Sequence, residues 1–379
     1  MMMTAIALAL AAHSAPTPTT PVPATTDGQT IIVTATSLAE SERSLADCLA
    51  RNCPPAKDIA ASTAHAENLF VTGRYDGAST VLRKSIGRNR QYARTLPEPV
   101  AGLFRAHARL GAHLGEANQY RSSSYATARA LRAGLPANDV RVMAARFEVA
   151  AMELSLRRTS VARDIYGELA RDASAIGRGD LARLARIRMA YIDYLEGDYS
   201  GARATLHTMA RDTAADAKVT RIGALVLLSR LDRAEGRKSD TDALIAELKQ
   251  ARLDQPVLLY SPPLALKHSP VQNQGESGNA LRLMATDNFD RTWIDVGYWV
   301  EGDGRVREVE LLRSSGSIDW TKPLLASIKQ RIYAPLADPG GSYRVERFTY
   351  TSLWEQRLGT RIRQRSANAR IESLDLSAN

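Results

Sequence analysis

A chain of 379 residues with 44% apolar and 24% charged side chains has room for two cores, because a single core rarely grows beyond roughly 250 residues. Its net charge of +9 arrives without a helix-turn-helix, RNP or Cys/His pattern, which sets nucleic acid aside and leaves weak contact with an anionic membrane surface open. The six histidines are scattered and no P-loop, nucleophile elbow or dinucleotide fingerprint occurs, so neither an enzyme nor a cofactor or metal is expected.

Residues 1–15 carry no charged side chain, and the apolar run Ala5–Ala12 is too short to span a hydrocarbon core of about 30 Å. The pattern predicts a cleaved export signal and a periplasmic address. Residues 16–40 begin with the proline-rich Pro16–Thr26, an extended tether because proline fixes φ and removes a donor. Cys48 and Cys53 are the two cysteines, and an oxidising compartment favours a bridge over two unpaired thiols. That bridge requires a helix end near Asn52, where Pro54-Pro55 follows, since residues five apart on a continuous helix lie too far apart for a disulfide.

Residues 41–254 repeat. Gly73 is followed by Tyr75, Ala78 and Leu82, and Gly197 by Tyr199, Ala202 and Leu206, at identical offsets. Weaker copies start at Gly115 (Ala117, Tyr120, Ser124), Arg157 (Thr159, Ala162, Tyr166) and Gly236 (Lys238, Thr241, Ile245), so the origins step by 42, 42, 40 and 39 residues. A glycine that can turn left-handed ends one helix, a tyrosine opens the next, and an alanine admits close helix approach. These residues resemble the tetratricopeptide repeat, although that family's period is about 34. The resemblance implies an α-α superhelix of hairpins with a concave groove for a peptide or a partner helix.

Residues 255–284, with Pro262-Pro263, Pro270, Gly275 and Gly278, read as a linker or an extended edge. In 285–379, Ile294, Val296, Tyr298 and Val300 alternate with Asp295 and Gly297 as a strand, and Gly302-Asp303-Gly304 turns it. Arg305–Arg313 returns with a bulge between Val306 and Val309. Trp320, Leu324, Ile328 and Ile332 recur every fourth residue behind Asp319, a good cap, with Pro323 in the first turn, which predicts a helix. Tyr343–Trp354 alternates as a third strand, and Thr360–Leu376 adds a basic extension with Arg361, Arg363, Arg365 and Arg370 after Arg357.

This ββαβ order, together with Val296–Val300, Gly304-x-Val306, Val309-x-Leu311, Ser314-Ser315 and Arg331-Ile332-Tyr333-Ala334-Pro335, resembles the C-terminal domain of the TonB transducer. It lacks the Tyr-Pro element before the first strand, and no full-length membrane anchor accompanies it. In that family a strand edge pairs with a short receptor segment, the TonB box. Thr30 and the residues Ile31, Ile32, Val33, Thr34 and Ala35 look like such a box and suit edge pairing, with the chain's own TonB-like domain or a transducer's, or else form an ordinary first strand. Asp193 and Glu196 sit at helical spacing beside arginines, the arrangement of surface ion pairs rather than an acid/base couple. The reading is therefore a mainly α, non-enzymatic periplasmic scaffold that binds other proteins, with a role in TonB-dependent transport, through a receptor or transducer, as the alternative.

Overall fold

The computed structural model describes residues 36–214, 216–237, 256–262, 264, 292–316, 318–356 and 362–377. The export signal, the tether through Ala35 with its box-like residues Ile31–Ala35, the fifth copy's Lys238, Thr241 and Ile245, and Arg357 and Arg361 lie outside the described residues.

Ten α-helices run in order through the described part of the first two thirds: α1 Leu38–Ala50, α2 Pro55–Val71, α3 Tyr75–Asn89, α4 Pro97–Leu114, α5 Ala117–Gly134, α6 Val140–Ser155, α7 Thr159–Ala175, α8 Gly179–Glu196, α9 Tyr199–Ala210 and α10 Lys218–Ala234. Their starts follow local chemistry. Ser37 accepts from Glu40 N at 3.2 Å, and Asp139 and Asp198 cap α6 and α9 in the same way; Pro55 and Pro97 stand at first positions, where no donor is needed.

Their ends are more uniform. Gly73, Gly115, Arg157, Gly197 and Gly236 have φ of +76°, +72°, +61°, +87° and +68°. After each, the next amide donates back to a carbonyl five residues earlier: Arg74 to Leu69, Glu116 to Gly111, Arg158 to Glu153, Asp198 to Asp193 and Arg237 to Asp232, at 2.7–2.9 Å. This Schellman closure satisfies helix-end carbonyls and reverses the chain at once. It makes antiparallel hairpins of α2/α3, α4/α5, α6/α7 and α8/α9. The same closure occurs between α7 and α8 at Gly177, φ +73°, and between α1 and α2 at Asn52, φ +49°. There it brings Cys48 and Cys53 into a disulfide with Cα atoms 5.1 Å apart. Ala78, Ala162 and Ala202 are buried where paired helices meet, next to Leu82, Tyr166 and Leu206.

A strand-rich unit follows: β1 Leu258–Tyr260, β2 Trp293–Val300, β3 Val306–Ser315, α11 Thr321–Lys329, β4 Ile332–Tyr333, β5 Ser342–Gln356 and β6 Arg363–Asp375. The main sheet is antiparallel in the order β3-β2-β5-β6, and β1 pairs with β4. Ile294, Val296, Tyr298, Val300 and Phe348 pack with Leu324 and Ile328 of α11. No helix among the described residues is long and apolar enough to cross a membrane.

Of the two readings of 255–284, the extended edge describes its first part: β1 is paired, Leu264 is buried, and Pro262 O accepts from Ser327 Oγ at 3.2 Å. Prolines are compatible with such a short edge segment. Asp319 does not cap α11; Thr321 bonds the Ile318 carbonyl through both N and Oγ1, so the helix starts later. Ile332 leaves the helix for β4 and is 46% exposed, because α11 stops at Lys329. The basic extension is a full strand, β6, paired along β5. The β2–β3 register slips twice, once around Glu308, whose φ is +51°.

Candidate functional site

The alternation in β2 marks Asp295 as an outward residue, yet both faces of the strand are buried. The second face lies on the helices. Trp293 joins the core formed by the first three hairpins, with its indole over the left-handed Gly73.

Beneath the indole, Asp295 and Arg347 are both fully buried and paired in two parallel bonds, Nε to Oδ1 at 2.7 Å and Nη2 to Oδ2 at 2.9 Å. Such a bidentate pair offsets the large cost of taking two charges out of water. Arg313, on β3, adds a second bond to Asp295 Oδ2, Nε at 2.9 Å. The guanidinium of Arg347 also donates to the carbonyls of Phe70 and Val71, at 2.5 and 2.7 Å, at the C-terminus of α2. It lies 3.8 Å from the Trp293 ring centroid and 5.3 Å from that of Phe70. A cation from the sheet therefore sits at the negative end of the first hairpin's leading helix, between two aromatic faces.

Thr349, two residues on, closes the polar part of the junction. Its hydroxyl lies 2.8 Å from His113 Nδ1, on α4, and 3.4 Å from the Tyr75 hydroxyl. Burial, then the charges of Arg347, Arg109 and Arg370, hold the His113 pKa down at about 3. The ring is therefore neutral at ordinary pH and packs edge-on against Phe70 at 5.1 Å. Burial likewise pushes the Tyr75 phenol up.

The same arrangement recurs one hairpin along. Arg365 of β6 donates to Leu114 O at 2.8 Å, at the end of α4, and Trp354 N donates to Gly115 O at 2.9 Å. Arg365 stacks 4.4 Å from the Trp354 ring centroid. So the sheet presents an arginine with a tryptophan to each of the first two hairpin turns. At the far end of the array Ile222 and Val226 of α10 pack with Ala334, and Arg230 donates to Leu259 O at 3.1 Å.

Between these anchors the hairpins are joined by a periodic ion ladder. Arg121, Arg163 and Arg203 stand six residues after successive turn origins. Each reaches the acid four residues before the next: Arg121 to Glu153 at 3.0 Å, Arg163 to Asp193 at 2.6 Å and Arg203 to Asp232 at 2.7 Å. Arg163 also holds Glu196 at 2.7 Å, and Arg203 holds Glu235. Asp193 and Glu196 are thus two ends of one ion pair network. Glu153, with no exposed surface, takes Arg158 and the Tyr125 hydroxyl as well.

Of the residues singled out by the repeat, Gly73 and Tyr75 lie at the junction, with Tyr75 only 3% exposed and Ala78 buried beneath, whereas Gly197 and Tyr199 lie on an open surface, Tyr199 being 36% exposed, above a buried Ala202. The junction's own residues, Trp293, Asp295, Arg347, Thr349 and His113, escape a reading by periodicity. Asp295, the lone charged residue in the otherwise apolar β2, is the one signal that could have pointed to them. No group of three or more His, Cys, Asp or Glu that could hold a metal occurs among the described residues.

No family model matches the sequence, and neither does any curated protein. Among solved structures the chain is similar to BtubC (BKLC) from P. vanneervenii, at 15% identity and a TM-score of 0.42 over 57% of this chain and 88% of that one. It is also similar to a putative kinesin light chain with nearly identical TPR-like repeats from Podosopora anserina, at 12% identity and a TM-score of 0.39 over 52% and 95%. The hairpin architecture described above rests on the left-handed turns and their closing bonds.

Proposed function

We propose that this chain is a non-enzymatic periplasmic interaction scaffold: a tetratricopeptide-like array that binds another protein, held at its first hairpins by a C-terminal unit resembling that of the TonB transducer. The observation that carries this reading is how the array's turns receive the chain's own sheet. Two of its turns take arginines, aromatic rings and backbone amides from the sheet, the chemistry by which a partner would be gripped at the turns left open. The Cys48–Cys53 bridge supports an oxidising address.

Cells making the full chain with photo-crosslinking residues on the exposed surfaces of α6–α9 test it. One dominant protein crosslinked in the osmotic-shock fraction is the expected outcome. A chain retained in the cytosol, or one with a substrate turnover and no crosslinked protein, would sink the proposal.

A role in TonB-dependent transport is the second reading. Asn68 Nδ2 donates to Thr36 O at 3.1 Å, so the box-like Ile31–Ala35 leads directly to a residue held on α2, the helix whose end the sheet covers. Against strand addition stands the sheet itself: the outer strands β3 and β6 both pair through register shifts, a shape that resists an added strand. Capture of the chain by an isolated TonB-type domain, lost with Ile32→Pro, would favour this reading; no capture removes it.

A further inference from the structure

The turn of the fourth hairpin repeats that of the first, and the sheet covers only one of them. With Gly73 set on Gly197, Phe70 corresponds to Tyr194 and Tyr75 to Tyr199. The ring pairs match, with centroids 5.0 Å apart at 30° in the first turn and 5.8 Å apart at 35° in the fourth. Both turns are closed by the same pair of backbone bonds. The carbonyls of Tyr194 and Leu195 thus stand where those of Phe70 and Val71 receive Arg347.

Their surroundings differ. A Cβ added at Gly73 would come within 2.5 Å of Trp293 Nε1, whereas one at Gly197 meets nothing within 4 Å among the described residues. Tyr75 is 3% exposed and Tyr199 36%. Around the fourth turn stand Asp193, Glu196 and Asp198, in the places held by Leu69, Thr72 and Arg74 in the first. Arg163 engages the first two acids, and Asp198 Oδ1 accepts from Gly201 N. Arg230, on neighbouring α10, lies near the Tyr191 and Tyr194 phenols and donates to the Leu259 carbonyl. The turn keeps an excess of acid at a helix C-terminus, which already favours positive charge, beneath an aromatic pair that can stack a guanidinium.

We infer that the turn Tyr194–Tyr199 is a docking surface for another protein, taking a segment that presents an arginine beside an aromatic residue. Arg347 and Trp293 supply that chemistry to the first turn. A second copy of this chain cannot supply its Arg347 and Trp293, because both are buried in its own junction. The inference rests on the scaffold reading and adds the class of partner and the place it docks.

The test uses the full-length chain and two short fluorescein-labelled peptides, one with Trp-Arg at its centre and one with Trp-Gln. Fluorescence anisotropy is expected to show the arginine peptide binding about tenfold more tightly, and Tyr199→Ser weakening it by about tenfold with an unchanged melting curve. Equal binding of the two peptides, or indifference to Tyr199→Ser, overturns the inference. Self-association of the chain that Tyr199→Ser abolishes does so too, by making a second copy the occupant. An in-cell crosslinked partner that survives Tyr199→Ser keeps the scaffold reading and sinks this one. Peptide discrimination with no crosslinked partner does the reverse.

Discussion

Asp295 and Arg347 face each other across neighbouring strands with no surface open to water, and the arginine donates two further hydrogen bonds to the backbone of a helix from the other part of the chain. The pair is unequal. Asp295 has a second cation in Arg313, which is 39% exposed, while Arg347 has Asp295 as its carboxylate partner. Removing the acid strands a buried guanidinium; removing the base leaves a carboxylate that keeps a partner. Asp295→Ala is therefore expected to cost about 3–5 kcal/mol, and Arg347→Met distinctly less. Urea unfolding of the two variants checks the order, and equal losses would contradict it.

His113 gives the junction a pH dependence whose sign follows from its depressed pKa. The folded chain holds the ring neutral down to about pH 3, whereas an unfolded histidine takes a proton near 6.5. Stability from this residue is complete above the unfolded value and is lost as pH falls toward the folded one. Between pH 6.5 and 5 the loss is about 1.6 kcal/mol, above most carboxylate titration. His113→Leu should reduce the slope in that window, leaving the part due to His107, whose pKa burial also lowers, as read by unfolding free energies at several pH values.

How much of this was legible follows from what repeats. Gly73, Gly115, Arg157, Gly197 and Gly236 are recoverable from spacing because each has the same local task, and all adopt positive φ. The strands β2, β3 and β5 are visible through alternation, which is also a local signal. The junction is different. Asp295 reads as a solvent-facing position because alternation reports that a strand has two faces, not that the second is covered by helices from the first part of the chain. Asp319 and Ile332 mislead because a four-residue apolar period does not fix where a helix begins or stops: α11 starts behind the Ile318–Thr321 turn and stops at Lys329. The ion ladder was within reach, since Arg121, Arg163 and Arg203 carry the same period as the turns.

That ladder makes its own prediction. The side chains of Arg163 and Asp193 are 36% and 19% exposed, so solvent screening keeps their coupling small. A double-mutant cycle with Arg163→Ala and Asp193→Ala should give about 0.5–1 kcal/mol. Glu153 is buried and shared by Arg121, Arg158 and Tyr125. Its replacement by alanine should cost about 1–3 kcal/mol, because it leaves the Tyr125 hydroxyl without its acceptor while Arg121 and Arg158, 41% and 43% exposed, turn to water. Thermal or denaturant melts distinguish the two, and a Glu153 loss no larger than that of Asp193 would show the ladder to be uniform.

Gly73 and Gly197 are indistinguishable by motif and by backbone, with φ of +76° and +87°. Alanine at either position pays the left-handed penalty of about 1–2 kcal/mol. Only at Gly73 does the new methyl meet an obstacle, the Trp293 indole at 2.5 Å, and the indole is fixed by Arg347 stacked 3.8 Å away. Gly73→Ala should therefore cost about 1–3 kcal/mol more than Gly197→Ala, the range for overpacking. The excess belongs to the tryptophan, so in a Trp293→Ala background the two alanine substitutions should converge. Unfolding free energies for the four variants decide the matter: an excess at Gly73 that persists without the indole would place its origin in the turn, and the sheet would then not be what separates the covered hairpin from the open one.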